Sequence, residues 1–177
     1  LSNAELAPRL MNVKPEGETL PVTVEITLPE HMQVIPFSSA RAEIISDNKD
    51  GTLTWRYTDT GTGGILYAGD YVWREIKAED LTVEFCLGRR HEAVMEEASA
   101  VSAIETVMNY CTDHYGPLSF RAGNTLKLIQ SRVTGGGYAA DGASLLDETD
   151  YTAASLSDRK KGSRPAEVMI HELVHQW

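Results

Sequence analysis

His171 and His175 stand four residues apart, with Glu172 directly after the first. On an α-helix, positions i and i+4 share one face, one turn apart. Two imidazoles so placed grip one Zn²⁺ through ring nitrogens about 2.0–2.1 Å from the metal. Glu172 follows about 100° round the helix, where its carboxylate reaches the metal's surroundings without being a ligand. That is the geometry of a general base: zinc acidifies a water molecule, and the glutamate takes its proton as the water attacks a carbonyl.

A helix must hold these three residues, and the flanking residues predict one. Pro165 suits a first turn, where its missing N–H costs nothing, and Ser163 is a nearby N-cap. No Gly or Pro interrupts from Ala166 onward, and Met169, Ile170, Leu173, Val174 and Trp177 supply an apolar surface. The competing reading is a buried helix whose two histidines are satisfied by hydrogen bonds. With 5 His and 16 Glu in the chain, H-E-x-x-H arises by chance in about one such sequence per hundred. A control lies within the chain: "HEAVM", His91 to Met95, begins alike but has Met95 in the second histidine's place. It reads as a helix start only. Gln176 and Trp177 after the second histidine favour the metal reading at the other site.

A net charge of −10 argues against nucleic acid or an anionic membrane as partner. No apolar run approaches the roughly 20 residues that span a bilayer, and no cleavable leader is read at the start. Cys86 and Cys111 fit no metal spacing. Each falls in an apolar pattern, so buried free thiols are expected, with a disulfide between them as the alternative. The cellular compartment therefore stays open.

Hydrophobic periodicity divides the chain near residues 87–91. Before it, "VTVEITL" and "GTLTWRYT" alternate with period two, and "ILYAGDYVWREI" and "LTVEFCL" add at least two further strands. "GTGG" at Gly61–Gly64 reads as a hairpin turn. After it, the stretch from His91 to Gly116 has helical spacing, with Val94, Val101, Met108 and Tyr115 recurring every seven residues and Gly116-Pro117 as the stop. "TLKLIQ" then reads as a strand, and "TGGGYAADGASLL" as a glycine-rich turn into another. "SDRKKGSR" reads as an exposed loop before the motif helix.

Three segments in this order resemble the aminopeptidase N-like zinc metallopeptidases of the gluzincin type. "HELVHQW" is similar to that family's H-E-L-x-H-Q-W block. "HYGPLSF", His114 to Phe120, is similar to its helix-ending segment, and "GGYAADGASLL", Gly136 to Leu146, holds the place of its G-x-M-E-N segment. The resemblance implies an α+β chain: residues 1–88 as the end of a saddle-like β domain, and 89–177 as the first half of a thermolysin-like mixed α/β catalytic domain. It implies His171 and His175 as ligands of one zinc ion, Glu172 as the base, and Gly136, Gly137, Tyr138 and Ala139 as substrate-binding residues, with a peptide as substrate. The family's third ligand is a glutamate roughly five turns of chain further on. On this reading the chain is a fragment, inactive and weak in zinc binding by itself, of a larger parent, with a membrane-associated parent as an alternative. Ala139 falls where the family carries the glutamate that binds a free α-amino group, with Asp141 nearby. Strong dependence on a free substrate N-terminus is therefore not expected, and a non-catalytic binding module is the alternative function.

Overall fold

Strands Leu81–Gly88 (β8), Thr125–Ser131 (β9) and Ala143–Asp147 (β11) lie parallel in the order β8-β9-β11. Each is largely buried along its length, as in strands covered on both faces. Tyr71–Ala78 (β7) closes one edge antiparallel to β8, and Gly137–Ala140 (β10) closes the other antiparallel to β11. The coordinates are a computed structural model that describes residues 4–6, 21–60, 64–78, 81–95, 98–118, 124–132, 137–140, 142–149 and 163–177.

Period-two alternation sends neighbouring residues of this five-stranded sheet into different cores. Leu81, Val83, Phe85 and Leu87 of β8, Leu126 and Leu128 of β9, and Leu146 of β11 point to the helical side. There they meet Ile104, Val107, Met108 and Cys111 of helix Ala98–Tyr115 (α2), and Met169 and Leu173 of helix Ser163–Val174 (α3). Cys86, Ile129, Ala143 and Leu145 point the other way, onto Ile35, Phe37, Tyr67 and Tyr71. The two thiols are thus free, buried and in different cores.

That second face rests on a three-stranded sheet of Ala4–Leu6 (β1), Leu66–Gly69 (β6) and Gln33–Pro36 (β3), in the order β1-β6-β3. This sheet is itself covered on both sides. Tyr67 and Ile35 face the five-stranded sheet, whereas Leu66, Ala68 and Val34 face Trp55 and Tyr57. The latter belong to an outer antiparallel sheet of Val22–Pro29 (β2), Thr52–Asp59 (β5) and Glu43–Asp47 (β4), in the order β2-β5-β4. A bulge breaks the β4–β5 register between Ile44 and Ser46. The molecule therefore stacks four layers: outer sheet, inner sheet, five-stranded sheet and helices.

This architecture overturns the expectation of a thermolysin-like mixed α/β half-domain after residue 88. The described residues form a β-rich structure of three sheets, and their only helices longer than about one turn are α2 and α3. The physical reason lies in β9, β10 and β11. They extend a sheet already begun by β7 and β8, so the strands after residue 88 complete β-structure that starts before it and do not form a separate half-domain. The helical spacing from His91 covers one face of that sheet. A turn of 3₁₀ helix, Arg89–His91, and a single helical turn, Glu92–Met95 (α1), precede α2. No helix among the described residues is long and apolar enough to cross a membrane.

The carboxyl ends of the parallel strands are tied by one buried carboxylate. Glu148, 3% exposed, receives the guanidinium of Arg90 after β8 and Nε of Arg132 after β9 at 2.6 Å. Burial raises its pKa, but the hydrogen bonds and charges of Arg132 and Arg90 outweigh that and hold the carboxyl below its ordinary value. A folded pKa below the unfolded one adds stability above the unfolded value, about 4.3, and loses it as pH falls through the folded value. Glu148→Gln is expected to destabilise the protein by about 1–3 kcal/mol at pH 7, discounted because both guanidiniums are half exposed. In urea titrations this difference should shrink as pH falls below about 4.

Candidate metal and peptide site

Helix α3 lays Met169 and Leu173, each 1% exposed, into the core shared with α2. That anchoring turns the neighbouring positions to either side. Glu172 and Gln176 are buried against the sheet edge, at 5% and 6% exposed, while His171 and His175 open to solvent. Val174, expected in the apolar surface, is instead 40% exposed. The helical segment ends at Val174, yet the His175 N–H still donates to the His171 carbonyl at 3.2 Å. The second histidine thereby keeps its place one turn beyond the first.

The two imidazoles converge. Nε2 of His171 lies 3.0 Å from Nε2 of His175, with ring centroids 4.6 Å apart and planes at 88°. Two nitrogens bound to one tetrahedral zinc lie about 3.3 Å apart. The pair is therefore close to the spacing that a shared cation demands. These two rings fit as two ligands of a zinc ion. Among the described residues no group of three or more His, Cys, Asp or Glu gathers to complete a shell.

Glu172 sits beside them in the same cleft. Its carboxylate passes so near β10 that a Cβ on Gly137 would meet Glu172 Cγ at 2.5 Å and Oε1 at 2.6 Å. Glycine is required here for room. Burial holds the Glu172 carboxyl above its ordinary pKa, and the charges of His171 and His175 pull the other way. A carboxylate made more basic by burial is better suited to accept a proton near neutral pH.

Gln176 bolts the helix end to the β10–β11 hairpin. Its Oε1 accepts the Gly142 N–H at 3.0 Å, and its Nε2 donates to the Ala140 carbonyl at 3.0 Å and to Ser144 Oγ at 3.2 Å. Ser144 Oγ in turn donates to the Glu172 carbonyl at 3.1 Å. The Trp177 indole N–H donates to the Gly116 carbonyl at 2.9 Å, joining the end of α2 to the same corner. None of the roles of Ser144, Gly142 or Gln176 was expected from sequence. The only signal was Gln176 itself, following the second histidine.

The cleft measures about 560 Å³ and is lined by Gly137–Ala140, His171, Glu172, His175, Gln176 and Trp177. The structure thus brings the glycine-rich strand and the motif helix together. Gly137 lies against Glu172, Ala139 is partly buried in the cleft wall, and Tyr138 stands 60% exposed at the rim. The Tyr138 ring rests on Phe37, with centroids 5.8 Å apart. Gly136 and Asp141 lie outside the described residues, as do Gly61–Gly63 and the basic loop up to 162. His91, which opens the control segment, ends the 3₁₀ turn with Nδ1 2.9 Å from Gln130 Oε1. No protein-family model matches the chain, and no curated protein matches it at a significant level.

Two substitutions test this construction. Gln176→Ala leaves the Gly142 N–H and the Ala140 carbonyl buried without their partner, and is expected to cost about 2–4 kcal/mol in denaturant titrations. Gly137→Val forces the Glu172 side chain off the strand. Zinc affinity, read by calorimetry, should change less than about threefold, while any peptide hydrolysis falls by about 100-fold.

Proposed function

We propose that this chain carries two ligands and the proton-accepting glutamate of a zinc-dependent metallopeptidase. The observation that supports it most is the convergence of His171 and His175 Nε2 atoms at 3.0 Å, beside the buried carboxylate of Glu172 in one cleft. His171 and His175 would hold the ion. When bound, zinc acidifies water and polarises a carbonyl. Glu172, pressed against Gly137 and raised in basicity by burial, would accept the proton of the attacking water and hand it to the departing amine.

The strand beside the histidines supports a peptide as substrate. β10 is the end strand of its sheet and pairs with β11 alone among the described residues. Its other edge offers backbone N–H and C=O groups along the cleft wall, to which an extended peptide adds as a further strand. The kinship with aminopeptidase N-like enzymes is part of this proposal and rests on the motif residues.

Calorimetric titration with Zn²⁺ tests the metal half. Two histidine ligands predict one site with a dissociation constant of about 1 μM or weaker, lost in His175→Ala and kept in Glu172→Gln. A peptide assay of the zinc-loaded protein, supplied with whatever chain completes the site, tests the rest. Glu172→Gln should abolish turnover without releasing zinc. Retained turnover removes Glu172 from the mechanism, and zinc binding with no turnover in any form favours a non-catalytic module.

A further inference from the structure

Lys127 is the one lysine buried in the described structure, at 2% exposed, in the middle strand of the five-stranded sheet. Its neighbours Leu126 and Leu128 face the helices, so alternation aims Lys127 toward the β-sheets. There its ammonium donates to three main-chain carbonyls of one short segment: Pro36 at 3.4 Å, Ser38 at 2.8 Å, and Ala40. Pro36 is the last residue of β3, opposite Leu66, and the segment after it is irregular, so the Ser38 and Ala40 carbonyls lie outside any ladder. An ammonium has three N–H groups and a neutral amine two. All three carbonyls are served only while Lys127 is charged.

The same segment backs the cleft. Phe37, 2% exposed, carries the Tyr138 ring of the cleft rim. Ser39 lies against Gly142, where an added Cβ would meet Ser39 Cβ and N at 3.1 Å. The Gly142 N–H is held by Gln176, and its carbonyl accepts the Lys127 N–H at 3.0 Å. Lys127 thus grips the turn behind the histidines through its main chain and the segment behind Tyr138 through its side chain. We propose that Lys127 is a positioning residue for the cleft, fixing Pro36–Ala40 and through it the Tyr138 rim and the Gly142 turn. Its effect on substrate rests on the peptidase reading, whereas its effect on the cleft wall does not.

Amide hydrogen exchange on the 177-residue chain separates the two. In Lys127→Met, protection at residues 37–40 and 138–142 is expected to fall by about tenfold or more, with α2 and β8 changed less than about twofold. Lys127→Arg should restore most of it. Burial pulls the Lys127 ammonium down to about 8, with Glu84, Cys86 and Asp59 raising it and Arg41 lowering it. Taking the unaltered chain from pH 7 to 9 should therefore loosen the same residues, after correction for intrinsic exchange, and Lys127→Arg should lack that step. This second measurement decides the matter if Lys127→Met does not fold. Unchanged protection at 138–142 in both experiments overturns the proposal. In a peptide-hydrolysing form, Lys127→Met should raise KM by about tenfold with kcat within about threefold. Loosened exchange with an unchanged KM also overturns the role in substrate positioning. Absence of hydrolysis in the unaltered protein counts against the peptidase reading alone, and exchange still decides Lys127.

Discussion

Three central strands covered on both faces constrain everything around them. β8, β9 and β11 are largely buried on both sides, so each side needs its own cover. The helices supply one cover and the β1-β6-β3 sheet the other, and that inner sheet, buried in its turn, requires the outer one. The order of layers follows from which residues alternate to which side. The position of the histidines follows as well. Met169 and Leu173 fix the rotation of α3 about its axis, and with it the direction in which His171 and His175 emerge.

The candidate site is assembled from groups with different requirements. The imidazoles need solvent access and convergence, which helical spacing provides. Glu172 needs burial, which the Gly137 backbone provides by close approach. These demands are compatible only because the helix end is held at a fixed distance from the hairpin. Gln176 sets that distance through two backbone groups and one hydroxyl. A side-chain amide suits the task because it donates and accepts in one plane without adding charge beside the candidate cation site.

Much of this was legible in sequence where one periodicity dominates. β2 and β5 alternate cleanly, and α2 and α3 carry helical spacing with a stop at Gly116. β3 and β4 escaped notice for opposite reasons. Gln33–Pro36 is four residues long and buried almost throughout, so it shows no alternation, whereas Glu43–Asp47 is exposed at every position and bulged. The class of the second half was misread because α2 is the most regular feature after residue 88, while β9–β11 show their partners only in space. At the candidate site, the convergence of His171 and His175 was visible as spacing. Gly137 was expected to touch substrate, but its closeness to Glu172 is a matter of tertiary distance. Lys127 stood in a strand as a lone charge, with nothing nearby in sequence to mark the carbonyls it serves.

The end strands β4 and β10 meet their surroundings differently. The bulge between Ile44 and Ser46 distorts the free edge of β4, so it makes a poor template for another strand. β10 is Gly-Tyr-Ala-Ala, with no bulge, proline or charge along it. A straight, uncharged edge of this kind is a template both for the proposed extended peptide and for the edge of a second molecule. Under the proposed peptide addition the edge of a second molecule would meet β10 in the same way, so a study of the candidate site would include a concentration series.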